Sequence, residues 1–247
     1  MENAMLNDRK LDRRDMFRIM GAAGAAAVAA ACGGGTPTSP SAAASTVTTA
    51  AATETTGGTS SGSDACAVSP NETEGPFPSK SDIFRSDIRE NTQGVPLALT
   101  IRVINVSSGC APLANANVEI WQCDAAGNYS EYGSQTSQTY LRGIQTTDAN
   151  GQVNFMTTYP GWYQGRATHI HIEVTMNGRS AKVTQIAFPE TINNAVYATG
   201  VYASRGSNPM SNLQDGIFAD SLSSELVTPS GNPTAGYSAS YQVGVSV

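Results

Sequence analysis

The stretch LALTIRVINV, residues 97–106, limits what this chain can become more than any other. Leu97, Leu99, Ile101 and Val103 recur at every second position, a spacing that puts all four on one face of an extended strand. The same texture returns in NVEIWQC (117–123), HIHIEV (169–174) and KVTQIAF (182–188). In TTDANGQVNFMT (146–157) an Asn150–Gly151 turn precedes alternating Val153 and Phe155. The tail GYSASYQVGVSV alternates Tyr237, Ala239, Tyr241, Val243, Val245 and Val247. Clusters of Gly, Pro, Asn and Asp separate these runs. No long segment keeps a 3.6-residue period, and only short helical turns are expected, around 191–198 and 209–215. Many short strands with frequent turn signals predict an all-β sandwich or barrel with long loops. The stretch from Cys66 to Val247 is long enough for one substantial core.

The first 65 residues have a different character. Arg9, Lys10, Arg13, Arg14 and Arg18 form a basic region, and an Ala-rich run from Ile19 to Ala31 ends at Cys32. That run is too short to span a bilayer and reads as the apolar core of a signal peptide. The Arg13–Arg14 pair before Met16-Phe17 resembles a twin-arginine export signal, and AAAC before GGG resembles a lipoprotein cleavage site. Residues 1–32 are therefore expected to direct export to the periplasm or the exterior, with a lipidated Cys32 anchoring the protein to the membrane. Residues 33–65 contain almost no large apolar side chain and are expected to form a disordered linker. The folded domain is expected to span 66–247.

Charge excludes one class of partner. Residues 1–32 hold five of the 14 basic and four of the 20 acidic side chains, so the remainder carries nine against sixteen, a net of −7. No Lys/Arg cluster follows, which argues against nucleic acid. Three cysteines remain after Cys32, namely Cys66, Cys110 and Cys123. They permit one intrachain disulfide and leave one thiol, and their spacing does not choose the pair. None has the spacing of a zinc site.

The chain's two histidines, His169 and His171, both stand in GRATHIHIEV. On a strand they point the same way, with Glu173, while Ile170, Ile172 and Val174 point to the core. Two imidazoles on one face form a two-nitrogen chelate, but they also suit an ordinary solvated strand. With two histidines, a three-histidine zinc site cannot be built from one chain. A ferrous site of two histidines and one carboxylate, using Glu173, remains open. So does a site completed by tyrosine: Tyr163 precedes His169 by six residues, and Tyr129 follows the strand ending near Cys123. A metal that ionises a phenol of ordinary pKa about 10 must be hard and highly charged, which suggests Fe(III).

Taken together, GRATHIHIEV, YPGWY, VEIWQCDAAGNYS, RGIQTTDANGQVNF and NETEGPF resemble the intradiol ring-cleavage dioxygenases, particularly the protocatechuate 3,4-dioxygenase β-subunit type and its exported relatives. The resemblance implies a β-sandwich that binds one non-haem Fe(III) per chain. It implies cleavage of a catechol between its two hydroxylated carbons by O2, giving a muconate-type diacid. Carried over residue by residue, it makes Tyr129, Tyr163, His169 and His171 the metal ligands, with Tyr163 the one that substrate displaces. It gives Arg166 a catalytic and substrate-binding role over the ring and makes Gln185 a second substrate-binding residue. The helical dimerisation region of the catechol 1,2-dioxygenase branch has no counterpart here, so the resemblance transfers no oligomeric state. The Tyr129–Arg142 loop, SEYGSQTSQTYL, is short and polar, so it transfers no particular catechol. A non-catalytic exported β-sandwich binding module is the alternative from outside enzymology.

Overall fold

A computed structural model describes residues 66–247. The expected signal peptide, Cys32 and the linker lie outside the described residues. Two antiparallel-rich sheets face each other, as the alternating runs require. The first is built on β1 (Pro96–Asn105), whose one edge pairs in parallel with β9 (Gly236–Val245) from Leu97↔Tyr237 to Asn105↔Val245. Its other edge carries β5 (Gln152–Thr158) and then β2 (Ala111–Pro112), and β8 (Ser230–Asn232) lies outside β9. The second sheet is antiparallel throughout, in the order β4 (Arg142–Thr146), β3 (Asn117–Trp121), β6 (His169–Met176), β7 (Arg179–Ala187).

The core lies between them, as the period of two dictates. Leu97, Leu99, Ile101 and Val103 of β1, with Val153, Phe155, Tyr241 and Val243, meet Val118, Ile120, Ile170, Ile172, Val174 and Ile186. The Asn150–Gly151 turn joins β4 to β5, strands of different sheets, so it is a corner rather than a hairpin. Asp148 Oδ1 accepts from Asn150 N and Gln152 N there, and Gly151 at φ +72° packs on the Val103 carbonyl where no side chain fits.

Helix α1 (Glu190–Tyr197) fills the first expected helical region. The second, 209–215, forms turns, and a short α2 (Leu222–Glu225) that periodicity did not reveal follows it. Among the described residues no helix is long and apolar enough to cross a membrane. Among the described residues a disulfide joins Cys66 to Cys110 and Cys123 is a buried free thiol, with burial pushing its pKa up to about 12.

Residues 69–80 run as an irregular strap across the outer face of the second sheet. Lys182 Nζ donates to Ser69 O at 2.8 Å and to Asn71 Oδ1 at 2.6 Å, and Glu72 N donates to Val183 O at 2.9 Å. The strap then passes over β6 and reaches the loop after β3.

Candidate metal centre

The histidines lie where two-residue periodicity puts them. His169 and His171 project from β6 on the face opposite the Ile170–Ile172–Val174 core row, and both are buried, at 2% and 1% exposure. His169 Nδ1 lies 2.7 Å from Ala167 O, which places its proton on Nδ1 and leaves the Nε2 lone pair free. That Nε2 lies 3.1 Å from His171 Nε2 and 3.3 Å from the Tyr129 hydroxyl. Burial first, then Arg166, pushes the His169 pKa down to about 3. Burial, His169, Arg166 and Arg142 hold His171 well below its usual value. Both rings are therefore neutral, the state in which imidazole binds a metal.

Tyr129 follows a tight turn in which Asp124 Oδ1 accepts from Ala126 N and Asn128 N. Its ring is 4% exposed, and burial drives its pKa well above 10 while Arg166 and Arg142 oppose the shift. Tyr163, on the loop before β6, is half-buried. Its ring centroid lies 5.7 Å from that of Tyr129 and 5.5 Å from that of His169, and its hydroxyl interacts with Arg166 and Tyr129. All four expected ligands thus come together from three separate segments.

These residues suit a ferric ion. His169 Nε2 lies within 3.3 Å of both His171 Nε2 and the Tyr129 hydroxyl, an arrangement that a cation beside all three would satisfy. His171 Nδ1 makes no well-aligned hydrogen bond, although the Thr73 backbone acts on it. No three His, Cys, Asp or Glu side chains gather among the described residues. Glu173 shares the histidine face, but the register sets it opposite Glu119. The remaining donors are the phenol oxygens, hard and anionic when ionised, which match Fe(III) better than Fe(II) or Zn(II).

Arg166 and Gln185 also meet at the site. Arg166 Nε donates to Asp215 Oδ2 at 2.8 Å and its NH2 to Gln185 Oε1 at 2.7 Å, while Gln185 Nε2 donates to Thr73 O at 2.8 Å. Asp215 was not apparent in the sequence. It is buried, and it also accepts from Ala167 N at 2.6 Å, so it aims the arginine and fixes the entry to β6. It lies 49 residues from Arg166, and no local pattern links them. Trp121 and Phe77 also escaped sequence reasoning as site residues. Trp121 stacks on His171 at 4.8 Å with the rings 2° from parallel, and Phe77 stacks on Tyr129 at 4.6 Å. Phe77, Tyr129 and Tyr132 line a cavity of about 160 Å³ with Gly127, Asn128 and residues 133–135. The loop read as polar therefore does border the centre, although Glu131, Tyr140 and Leu141 within it are buried. Two larger hollows, near Val95 and near Met176, contain none of these residues.

Comparison with known proteins agrees with this architecture. The dioxygenase family model matches residues 69–196. An intradiol ring-cleavage dioxygenase from Tetranychus urticae is similar in structure, with 30% identity and a TM-score of 0.65 over 73% of this chain and 95% of that one. Catechol 1,2-dioxygenase from Candida albicans is 35% identical over 109 residues, 35% of this chain and 36% of the relative. The Acinetobacter baylyi enzyme of that name is 29% identical over 161 residues, 53% of this chain and 51% of the relative. The chain thus spans between about a third and a half of the curated relatives it matches. It belongs to the intradiol ring-cleavage dioxygenase family.

Proposed function

We propose that this protein is an exported non-haem Fe(III) dioxygenase that cleaves a catechol-type ring between its hydroxylated carbons with O2, giving a muconate-type diacid. The observation that carries this reading is that His169 Nε2 lies within 3.3 Å of both His171 Nε2 and the Tyr129 hydroxyl, with Tyr163 beside them. When bound, ferric iron would act as Lewis acid and template for the ionised catechol and O2. The protein's own residues divide the remaining work. Tyr129, His169 and His171 are buried and hold their positions. Tyr163 is the more exposed tyrosine, so it is the one to yield its place, and its phenolate oxygen takes one catechol proton. Arg166, aimed by Asp215 and Gln185, offers fixed positive charge where charge builds on the ring, an electrostatic role that needs no reorganisation. The strap and the stacked aromatic rings exclude water from the ligand side.

Ferric loading of the purified protein tests the assignment. It should give a burgundy tyrosinate-to-iron colour and oxygen uptake across a panel of catechols. A colourless loaded protein would refute the reading. A ferrous two-histidine, one-carboxylate site is disfavoured because, among the described residues, no His, Cys, Asp or Glu joins the histidines in a group of three. A non-catalytic module is disfavoured because all four donors come together. The Cys66–Cys110 disulfide supports an oxidising compartment, in keeping with export. Anchoring through lipidated Cys32 is tested by globomycin-sensitive processing. A mature unlipidated N-terminus beyond Cys32 would exclude the anchor.

A further inference from the structure

The register of the second sheet aligns four side chains in one row on its outer face. Arg142 of β4 opposes Trp121 of β3, Trp121 opposes His171 of β6, and His171 opposes Gln185 of β7. The strap crosses this row from end to end. Thr73 O accepts from Gln185 at one end and Phe77 O accepts from Arg142 NH1 at the other, at 3.0 Å. Gly75 lies between them, against His171.

We infer that Arg142 is a positioning residue for Tyr129, fixing the direction of its hydroxyl by joining the Tyr129 turn to the strap. This rests on the reading of Tyr129 as an iron ligand. Arg142 is 1% exposed, and each of its three guanidinium nitrogens donates a hydrogen bond. Nε donates to Ser130 Oγ at 2.9 Å and NH2 to Ser130 O at 2.7 Å, which grips the residue next to Tyr129. NH1 donates to Phe77 O and, at 3.3 Å, to Ser79 Oγ, which grips the residues carrying the ring stacked on Tyr129. One planar fork thus holds both the residue that follows Tyr129 and the segment carrying the plate it leans on, and an ammonium cannot reproduce that geometry. The turn needs such a tie, because its next residue, Glu131, is buried at φ +67°, a conformation unfavourable for a side-chain-bearing residue. Glu131 Oε2 lies 3.4 Å from Arg142 Nε, so the buried cation is paired. The guanidinium is also 5.7 Å from the centre of the Tyr129 ring, close enough for its charge to bear on the phenolate.

The test uses the full chain loaded with ferric iron, as parent, Arg142→Met and Arg142→Lys. Each is scored by the rate of iron release to excess EDTA, the energy of the tyrosinate-to-iron band and the melting midpoint. Arg142→Met should release iron about ten-fold faster or more and shift the band to lower energy. Arg142→Lys keeps the charge without the fork, so it should release iron faster while restoring most of the band position. A merely structural role would lower the midpoint and leave the band unmoved. A folded Arg142→Met with parental band and release within two-fold would overturn the inference. Should Arg142→Met not fold, Ser130→Ala removes one acceptor and leaves the arginine. It should release iron a few-fold faster, and an unchanged rate overturns the inference. A parent that takes up no ferric iron overturns the dioxygenase reading and this inference with it, whereas a parent that loads beside unaffected variants overturns this inference alone.

Discussion

The centre depends on single residues whose alternatives are sterically or chemically closed. Tyr129→Phe removes a converging oxygen and His171→Ala a converging nitrogen. Each variant should lose iron, measured as bound metal per chain, and oxygen uptake with catechols should fall to background. Gly75 is sensitive for a different reason. It sits at φ +69°, and an added Cβ would lie 3.1 Å from His171 Cε1. Gly75→Ala should therefore cost about 1–2 kcal/mol from the left-handed backbone alone. It should also displace the imidazole, lowering both the melting midpoint and iron occupancy. Parental occupancy would show that the strap moves aside freely. The free thiol makes the opposite kind of prediction. Cys123 is 2% exposed and its pKa is pushed up to about 12, so Cys123 itself should resist thiol reagents in the folded protein and be labelled only after denaturation, as read by peptide mapping.

Among the elements, α2 carries a pH dependence that one substitution can isolate. Glu225 is fully buried beside β7, accepting from Thr184 Oγ1 at 3.2 Å and from Ser221 Oγ at 2.5 Å. Burial, with Glu72 adding to it, pushes its pKa up to about 7. The folded state therefore holds this proton more tightly than the unfolded chain does. The stabilisation is complete below the ordinary value of about 4.5 and is lost as pH rises through 7. Glu225→Gln keeps the hydrogen-bonding shape without the charge. It should match the parent at pH 4 and exceed it at pH 8 by about 1–3 kcal/mol, read from urea unfolding. Equal stability at both values would mean that Glu225 stays ionised. The strands themselves were legible because alternation follows from backbone geometry: β1, β6 and β9 lie within a residue or two of the runs that predicted them. Helix α2 was not, since four residues are too few to show a period. The β4–β5 corner was not either, because an Asn-Gly turn has the same local chemistry whether its strands pair or part.

For the whole molecule, the covalent tie matters most. Cys66 begins the described chain just ahead of the strap, and its bond to Cys110 closes a separation of 44 residues. In the chain-entropy picture such a loop contributes up to about 4 kcal/mol. A Cys66→Ser/Cys110→Ser variant should lose stability of that order in urea. Because the strap packs on His171 and Tyr129, it should also release iron faster than the parent. Faster unfolding with unchanged release would show that the strap holds by its hydrogen bonds alone.

By itself the sequence determined the strand pattern and the shared face of His169 and His171, and family resemblance singled out Tyr129, Tyr163, Arg166 and Gln185 as the residues to expect beside them. These are local facts: a period of two is set by the backbone, and a motif keeps its ligands close to fixed positions in the chain. Only the tertiary structure decided which cysteines pair, that Asp215 aims Arg166 from 49 residues away, and that Arg142, Trp121, His171 and Gln185 form one row. Those relations depend on register and on the path of the strap. Both are fixed by which faces bury against which, a property of the packed chain that no short window contains.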